Sequence, residues 1–284
     1  MMTENPILTF LWLELTGRCQ LECVHCYADS SPVGTHGTMA VSDWKRVINE
    51  AGEMGVRTVQ FIGGEPTLHP HLSELINHAL SRAVAVEVFT NLVHVTNELW
   101  QTFAQPGVSL ATSYYSDDPA QHAAITGRPS HARTRANIAK ATELGIPLRV
   151  GVVDLSGDQH AEQARGELMS LGVPVIGYDR LRQVGRGVRD QGETAKQLCG
   201  QCGHGSAAVL PDGTLSPCVM SRWVSVGNVQ QEPLREVVAG LPAARFGLTS
   251  QGMPATVGVT TAQGNCTPCG PQGNCYPIHC HPRA

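Results

Sequence analysis

A chain of 284 residues, 42% of them hydrophobic, has enough apolar material to bury a large core, which excludes an extended or disordered polymer. Its net charge of -4, with basic residues scattered along the chain, argues against a nucleic-acid partner, since phosphate backbones need a concentrated basic stripe. The opening residues MMTENPILTFLWLEL carry Glu4, lack a basic start and hold too short an apolar run for a signal peptide or a membrane span. The expectation is a cytoplasmic protein with no membrane partner.

From Ile7 to about Leu181 one unit recurs six times: a short apolar run, a loop, then an amphipathic helical pattern closed by glycine. The runs are ILTFLWLEL, RTVQFIG, AVEVFTN, VSLATSYYS, PLRVGVV and VPVIGYDRL. Nearly continuous apolar character is what strands covered on both faces require, so the sheet is expected to be parallel. Between the first two runs Ser42 stands where it can cap a helix with Val47, Ile48, Ala51 and Met54 on one face and Gly55 as its stop. Gly145 and Gly172 end later helices in the same way. The fold class is therefore α/β, a partial (β/α)6 TIM-like barrel over residues 1–185, with functional residues expected just after the strands.

After the sixth strand the passage RQVGRGVRDQGETAKQ is polar, glycine-rich and without periodicity, and reads as a boundary. Residues 186–284 then form a small cysteine-rich domain, with a hairpin at VLPDGTLSPC turned by Asp212 and Gly213. So small a region lacks a core of its own, and bound metal would supply folding energy.

The ten cysteines fall into two groups at opposite ends of the chain. In a reducing compartment such grouping favours metal over a disulfide scaffold, which is the competing reading. The twelve histidines mostly stand singly, as His71 and His78 do, and read as ordinary surface or loop residues. Directly after the first strand come Cys19, Cys23 and Cys26, spaced C-x3-C-x2-C. Three thiolates on one loop suit an iron-sulfur cluster or zinc and leave a fourth metal position open.

That array after the first strand of a partial barrel resembles the signature of the radical S-adenosylmethionine (SAM) superfamily. Further features follow in order: His25 before the third cysteine, Gly63-Gly64-Glu65-Pro66 after the second strand, Thr90-Asn91 after the third, and Ser113 on the fourth. The resemblance implies that Cys19, Cys23 and Cys26 hold a 4Fe-4S cluster whose open iron takes the amino and carboxylate groups of SAM. It assigns His25, Gly63, Gly64, Glu65, Asn91, Ser113 and Arg128 to the cofactor. The two glycines would let backbone carbonyls approach the ammonium, and Glu65 would help neutralise it. Tyr114 and Tyr115 depart from the family's usual Leu-Asp, and either of them could equally be buried core.

The tail is similar to the SPASM extension of the peptide-modifying branch. By that similarity Cys199, Cys202, Cys218 and Cys280 hold one auxiliary 4Fe-4S cluster, and Cys266, Cys269 and Cys275 a second with one ligand unassigned. A structural zinc ribbon is the alternative, although one tetrahedral zinc leaves three of the seven thiols unused. The activity implied is generation of a 5'-deoxyadenosyl radical that takes a hydrogen atom from a ribosomally made peptide, leaving a crosslink or another residue modification. An open second cluster could hold a substrate thiolate. The few residues before the cysteine loop leave leader recognition to the barrel, the tail or another protein. A reducing partner such as flavodoxin or ferredoxin is implied as well. Dehydrogenation of a small alcohol or sugar, and an electron-transfer protein without catalysis, are the competing readings.

Overall fold

The structure, a computed structural model, describes residues 8–156, 158–189, 192 and 194–254. Cys266, Cys269, Cys275 and Cys280, and with them the expected second auxiliary cluster, lie outside the described residues. Strands and helices alternate as β1 (Phe10–Thr16), α1 (Val41–Glu53), β2 (Thr58–Gly63), α2 (Leu72–Ser81), β3 (Ala85–Phe89) and α3 (Asn97–Phe103). They continue as β4 (Val108–Tyr114), α4 (Pro119–Thr126), α5 (His131–Glu143), β5 (Leu148–Asp154), α6 (Ala161–Ser170) and β6 (Val175–Arg180). Each strand from β1 to β6 pairs in parallel with the next, as continuous apolar runs require. The sheet is open, because β6 ends it on one side, and this is the partial barrel that the six units imply.

The later segment continues this sheet. β7 (Ser206–Val209) lies parallel to β1 on its free side, and β8 (Thr214–Ser216) and β9 (Gly227–Asn228) follow antiparallel. The order is β6-β5-β4-β3-β2-β1-β7-β8-β9, which makes β1 a central strand, and all of its residues are buried. Two short helices, α7 (Leu234–Val238) and α8 (Leu241–Ser250), complete the described chain. The hairpin between β7 and β8 turns at Gly213, whose φ of 81° lies in the left-handed region that glycine enters without strain.

Strand alternation divides the core into two layers. Leu11, Leu13 and Leu15 of β1 face outward onto Trp44, Val47, Ile48 and Ala51 of α1. Phe10 and Trp12 face inward and join Ile62, Leu198, Cys202, Ala208, Cys218 and Val219. The cysteine-bearing segment thus packs against the inner face of the barrel.

Ser42 does not cap α1. Ala40 stands at the N-cap, and Asp43 in the first turn reaches back so that its Oδ2 accepts the Ala40 N–H at 2.9 Å. An acidic side chain there satisfies a free donor and complements the positive end of the helix, which a serine two positions too late cannot do. Gly55, Gly145 and Gly172 do close their helices, at φ of 86°, 67° and 75°. Among the described residues no helix is long and apolar enough to cross a membrane.

Inside the barrel a polar ladder crosses three strands. Arg149 on β5 grips Glu87 on β3 with two hydrogen bonds of 2.8 and 2.7 Å, and Gln60 on β2 donates to the same carboxylate. Removing the carboxylate takes both of these charge-assisted hydrogen bonds from the guanidinium. Glu87→Ala should therefore lower the unfolding free energy by about 3–5 kcal/mol. Adding Arg149→Met should restore part of that loss, as measured by urea unfolding; equal losses in the single and double variants would reject the ion pair as the cause.

Candidate active site

β1 ends at Thr16, and the chain then enters a loop that backbone contacts hold on several sides. Gly17 N–H donates to the Thr35 carbonyl at 2.8 Å and Cys19 N–H to that of Ser31 at 3.0 Å. Glu22 and Val24 donate to the Thr126 and Ile125 carbonyls, both at 3.0 Å, which supplies partners to carbonyls left open at the end of α4. Ser30 N–H approaches Cys26 Sγ, and Leu21 N–H approaches Cys19 Sγ, each at 3.4 Å. All three cysteines are free thiols lining one cavity of about 330 Å³.

The electrostatics of the loop call for a cation. Burial pushes the Cys19 thiol up to about 12, helped by the charge of Glu65, and it pushes Cys23 up to about 12, helped by Cys26. Buried sulfurs this close resist becoming thiolates together unless a metal displaces their protons. Three soft donors on one loop around an open cavity fit an iron-sulfur cluster with a free iron position.

The same cavity is lined by His25, Gly63, Gly64, Asn91 and Ser113, so five of the expected cofactor residues converge with the cysteines. Asn91 Nδ2 lies 3.7 Å from Cys19 Sγ, and its side chain exchanges hydrogen bonds with Gln20 at 3.0 and 3.3 Å. The His25 ring meets Tyr115 edge-on with centroids 5.0 Å apart, and its Nδ1 is buried without a partner. Burial, followed by the charges of Arg186 and Arg189, lowers His25 to about 4, so its ring is neutral near pH 7. The two tyrosines divide: Tyr115 lines the cavity, whereas Tyr114 turns to the outer core and bonds His131 and Glu167 at 2.7 and 2.6 Å.

Two expected residues stand off the cavity wall. Glu65 is fully buried, and its carboxylate accepts hydrogen bonds from Thr67 N–H, Thr67 Oγ1, Thr90 Oγ1 and Asn91 N–H at 3.1, 2.8, 2.6 and 2.8 Å. It does not line the cavity; its oxygens staple the turn after β2 to the turn after β3 and thereby place Asn91. Arg128 also stays off the cavity wall, pairing at the surface with Glu22 at 2.7 Å. The glycines have a packing reason that the sequence does not display. A Cβ at Gly63 would sit 2.4 Å from the Thr16 carbonyl, and one at Gly64 would sit 2.3 Å from that of Arg18.

The same cavity is also lined by Cys199, Cys202 and Cys218. Cys202 and Cys218 approach within 2.8 Å, and that hydrogen bond together with burial holds Cys202 protonated. Close beneath, the buried Glu14 of β1 pairs with Arg222, which follows the third of these cysteines. Arg186 grips the cysteine loop through the Cys23 and Ser30 carbonyls and the Asp29 carboxylate. Sequence reasoning missed both arginines. Arg222 carries no local signal, and the trace of Arg186 is an arginine flanked by two glycines in what reads as a linker.

Stripping iron from the folded protein should leave Cys19 and Cys23 protonated far above the usual thiol range. Their alkylation by iodoacetamide at pH 8 should then run more than ~100-fold slower than in the urea-unfolded chain, as mass spectrometry of modified peptides would show. Equal rates in the two states would contradict the burial argument.

Comparison with known proteins agrees with this geometry. The Radical SAM superfamily model matches residues 13–163, and the iron-sulfur cluster-binding SPASM model matches residues 199–270. A PqqA peptide cyclase of Streptomyces rochei is 31% identical over 170 residues, 60% of this chain and 46% of that protein. The subtilosin biosynthesis protein AlbA of Bacillus subtilis is 29% identical over 189 residues, 65% of this chain and 42% of that protein. The chain thus spans less than half the length of these relatives. In fold it is similar to Streptococcus suis SuiB, at a TM-score of 0.68 and 15% identity over 81% of this chain and 65% of that one. It is also similar to BtrN, at 0.51 and 16% over 87% and 89%. The chain belongs to the radical SAM superfamily and carries a SPASM iron-sulfur cluster-binding domain, and its cofactors are 4Fe-4S clusters and S-adenosylmethionine.

Proposed function

We propose that this enzyme abstracts a hydrogen atom from a residue of a ribosomally made peptide and leaves a crosslink or another modification there. The observation that carries the reading is the cavity lined both by Cys19, Cys23 and Cys26 and by Cys199, Cys202 and Cys218. A substrate seated between the two groups meets both. When bound, the first cluster and SAM supply the 5'-deoxyadenosyl radical, and the auxiliary site supplies an acceptor or a docking point.

The residues of this chain hold, orient and enclose. Cys19, Cys23 and Cys26 would hold the first cluster, and Cys199, Cys202 and Cys218 the auxiliary one. The backbone at Gly63 and Gly64, the amide of Asn91 and the hydroxyl of Ser113 would seat the cofactor. Phe10, Trp12, Ile62 and Phe89 line the cavity with apolar surface that keeps water from a reactive intermediate. Arg149, Asp179, Arg180 and Arg182 supply polar groups on the β5 and β6 side that can fix the orientation of a substrate. In this reading residues 1–185 form the radical-generating barrel, residues 186–284 the auxiliary SPASM-like part, and a flavodoxin or ferredoxin delivers the electron.

Peptide substrates are supported by the relatives. PqqA peptide cyclase is named for a peptide, and SuiB has been crystallised with its precursor peptide SuiA. A structure of anSMEcpe holds AdoMet with a peptide at a TM-score of 0.63 and 14% identity. Oxidation of a small alcohol or sugar is the second reading, favoured by a cavity of about 330 Å³, near the lower end of the range for small-molecule sites.

The test is anaerobic reconstitution with iron and sulfide, reduction by dithionite in the presence of SAM, and chromatographic assay of 5'-deoxyadenosine. Wild type should form it, and Cys19→Ala should reduce the yield by more than ~100-fold. Candidate peptides encoded near the gene and a panel of small alcohols then compete as substrates, with deuterium transfer into 5'-deoxyadenosine reporting the abstraction site. Transfer from alcohols alone would replace the peptide reading, and no cofactor cleavage by a fully loaded enzyme would overturn both.

A further inference from the structure

We propose that Arg186 is a positioning residue that clasps the cysteine loop in its iron-binding shape and makes the first cluster easier to reduce. The inference rests on the reading that Cys19, Cys23 and Cys26 hold that cluster. Arg186 comes from beyond β6, more than 150 residues away from the loop it grips. Its Nε donates to the Cys23 carbonyl at 2.9 Å, its Nη1 to Asp29 Oδ1 at 2.8 Å and its Nη2 to the Ser30 carbonyl at 2.6 Å. Its backbone N–H donates to the Cys26 carbonyl at 3.0 Å. These acceptors begin at the second cysteine, take in the third and end beyond it, so one side chain and its own backbone span the segment that carries two of the three sulfurs.

A planar guanidinium can serve three divergent acceptors at once, whereas an ammonium on a flexible stem cannot hold them in one geometry. The flanking glycines make the approach possible. Gly185 has a φ of 56°, and a Cβ there would lie 2.5 Å from the carbonyl oxygens of both Cys26 and Tyr27. A Cβ on Gly187 would lie 2.5 Å from the Arg182 carbonyl. Asp29 sits at a φ of 51°, a left-handed conformation that aspartate tolerates better than most residues, and its carboxylate pairs there with Arg186.

The charge has a second effect. Three thiolates and the electron added on reduction all bring negative charge to this loop. A half-buried guanidinium bonded to the Cys23 carbonyl opposes it through a medium that screens less than water. Removing that charge should drive the midpoint potential of the cluster more negative. The same segment connects β6, whose Asp179 and Arg180 line the substrate side of the cavity, to Cys199. The clasp therefore lies where the cavity wall, the first cluster loop and the auxiliary segment meet.

The experiment compares Arg186→Met and Arg186→Lys with wild type in the full-length, anaerobically reconstituted enzyme. Iron and sulfide content is measured, followed by a redox titration of the electron paramagnetic resonance signal that changes on adding SAM. At one fixed potential the reduced fraction of that cluster should fall about tenfold in Arg186→Met. Arg186→Lys should keep the midpoint near wild type but release iron to a chelator faster, because the charge remains and the fork is lost. An Arg186→Met enzyme with wild-type iron content, chelator resistance and midpoint overturns the proposal. Where Arg186→Met does not fold, Arg186→Lys decides alone: faster iron release at an unchanged midpoint supports the clasp, and wild-type release kinetics overturn it. If the wild-type signal does not respond to SAM, the reading of the cysteine triad fails instead, which keeps the two failures apart.

Discussion

Three cysteine sulfurs must be held inward on one irregular loop in a largely buried setting, and most of what surrounds β1 in this protein follows from that constraint. A loop with no ladder of its own has to borrow partners for its backbone. Here Thr35 and Ser31 close it on itself, the last carbonyls of α4 hold its middle, and Arg186 holds its far end. Gly63 and Gly64 serve the same purpose from β2, because only a residue without Cβ lets that turn press against the backbone of Thr16 and Arg18. Glu65 then spends its carboxylate on linking two turns, so the charge expected to face the cofactor works as a structural staple.

A second consequence concerns the far end of the chain. The described part of the cysteine-rich segment adds β7 to the free side of β1 and packs Leu198, Cys202, Cys218 and Val219 with Phe10 and Trp12. One strand therefore sends its leucines to the helical layer and its aromatics to the inner layer, and its end opens into the first cysteine loop. The two cysteine groups share a cavity because they share a strand. Glu14 and Arg222 join the same two parts by charge. The buried carboxylate and the guanidinium after Cys218 tie the C-terminal half of β1 to the later segment.

Much of this was legible in the sequence. The six βα units, the parallel order, the stops at Gly55, Gly145 and Gly172 and the hairpin at Gly213 all depend on local chemistry: apolar period, chain reversal and the permissiveness of glycine. The cysteine spacing is local as well, and it carries the family resemblance that the Radical SAM model match bears out. What local pattern left open is where several side chains end. Ser42 stands beside the cap instead of on it, Arg128 closes a surface ion pair, and Tyr114 and Tyr115 take opposite faces of one strand end. Spacing tells which residues are near in the chain, and it does not tell which of several partners wins a charge.

By itself the sequence determined the fold class and the family, because periodicity and cysteine spacing are properties of short segments. Only the tertiary structure decided that the auxiliary cysteines look into the same cavity as the first triad, that Glu65 is consumed in bracing a turn, and that an arginine from an apparent linker grips the cysteine loop. Each of these is a contact between residues far apart in the chain. It depends on how strand β7 and the segment after β6 return to β1, and no local pattern encodes that return.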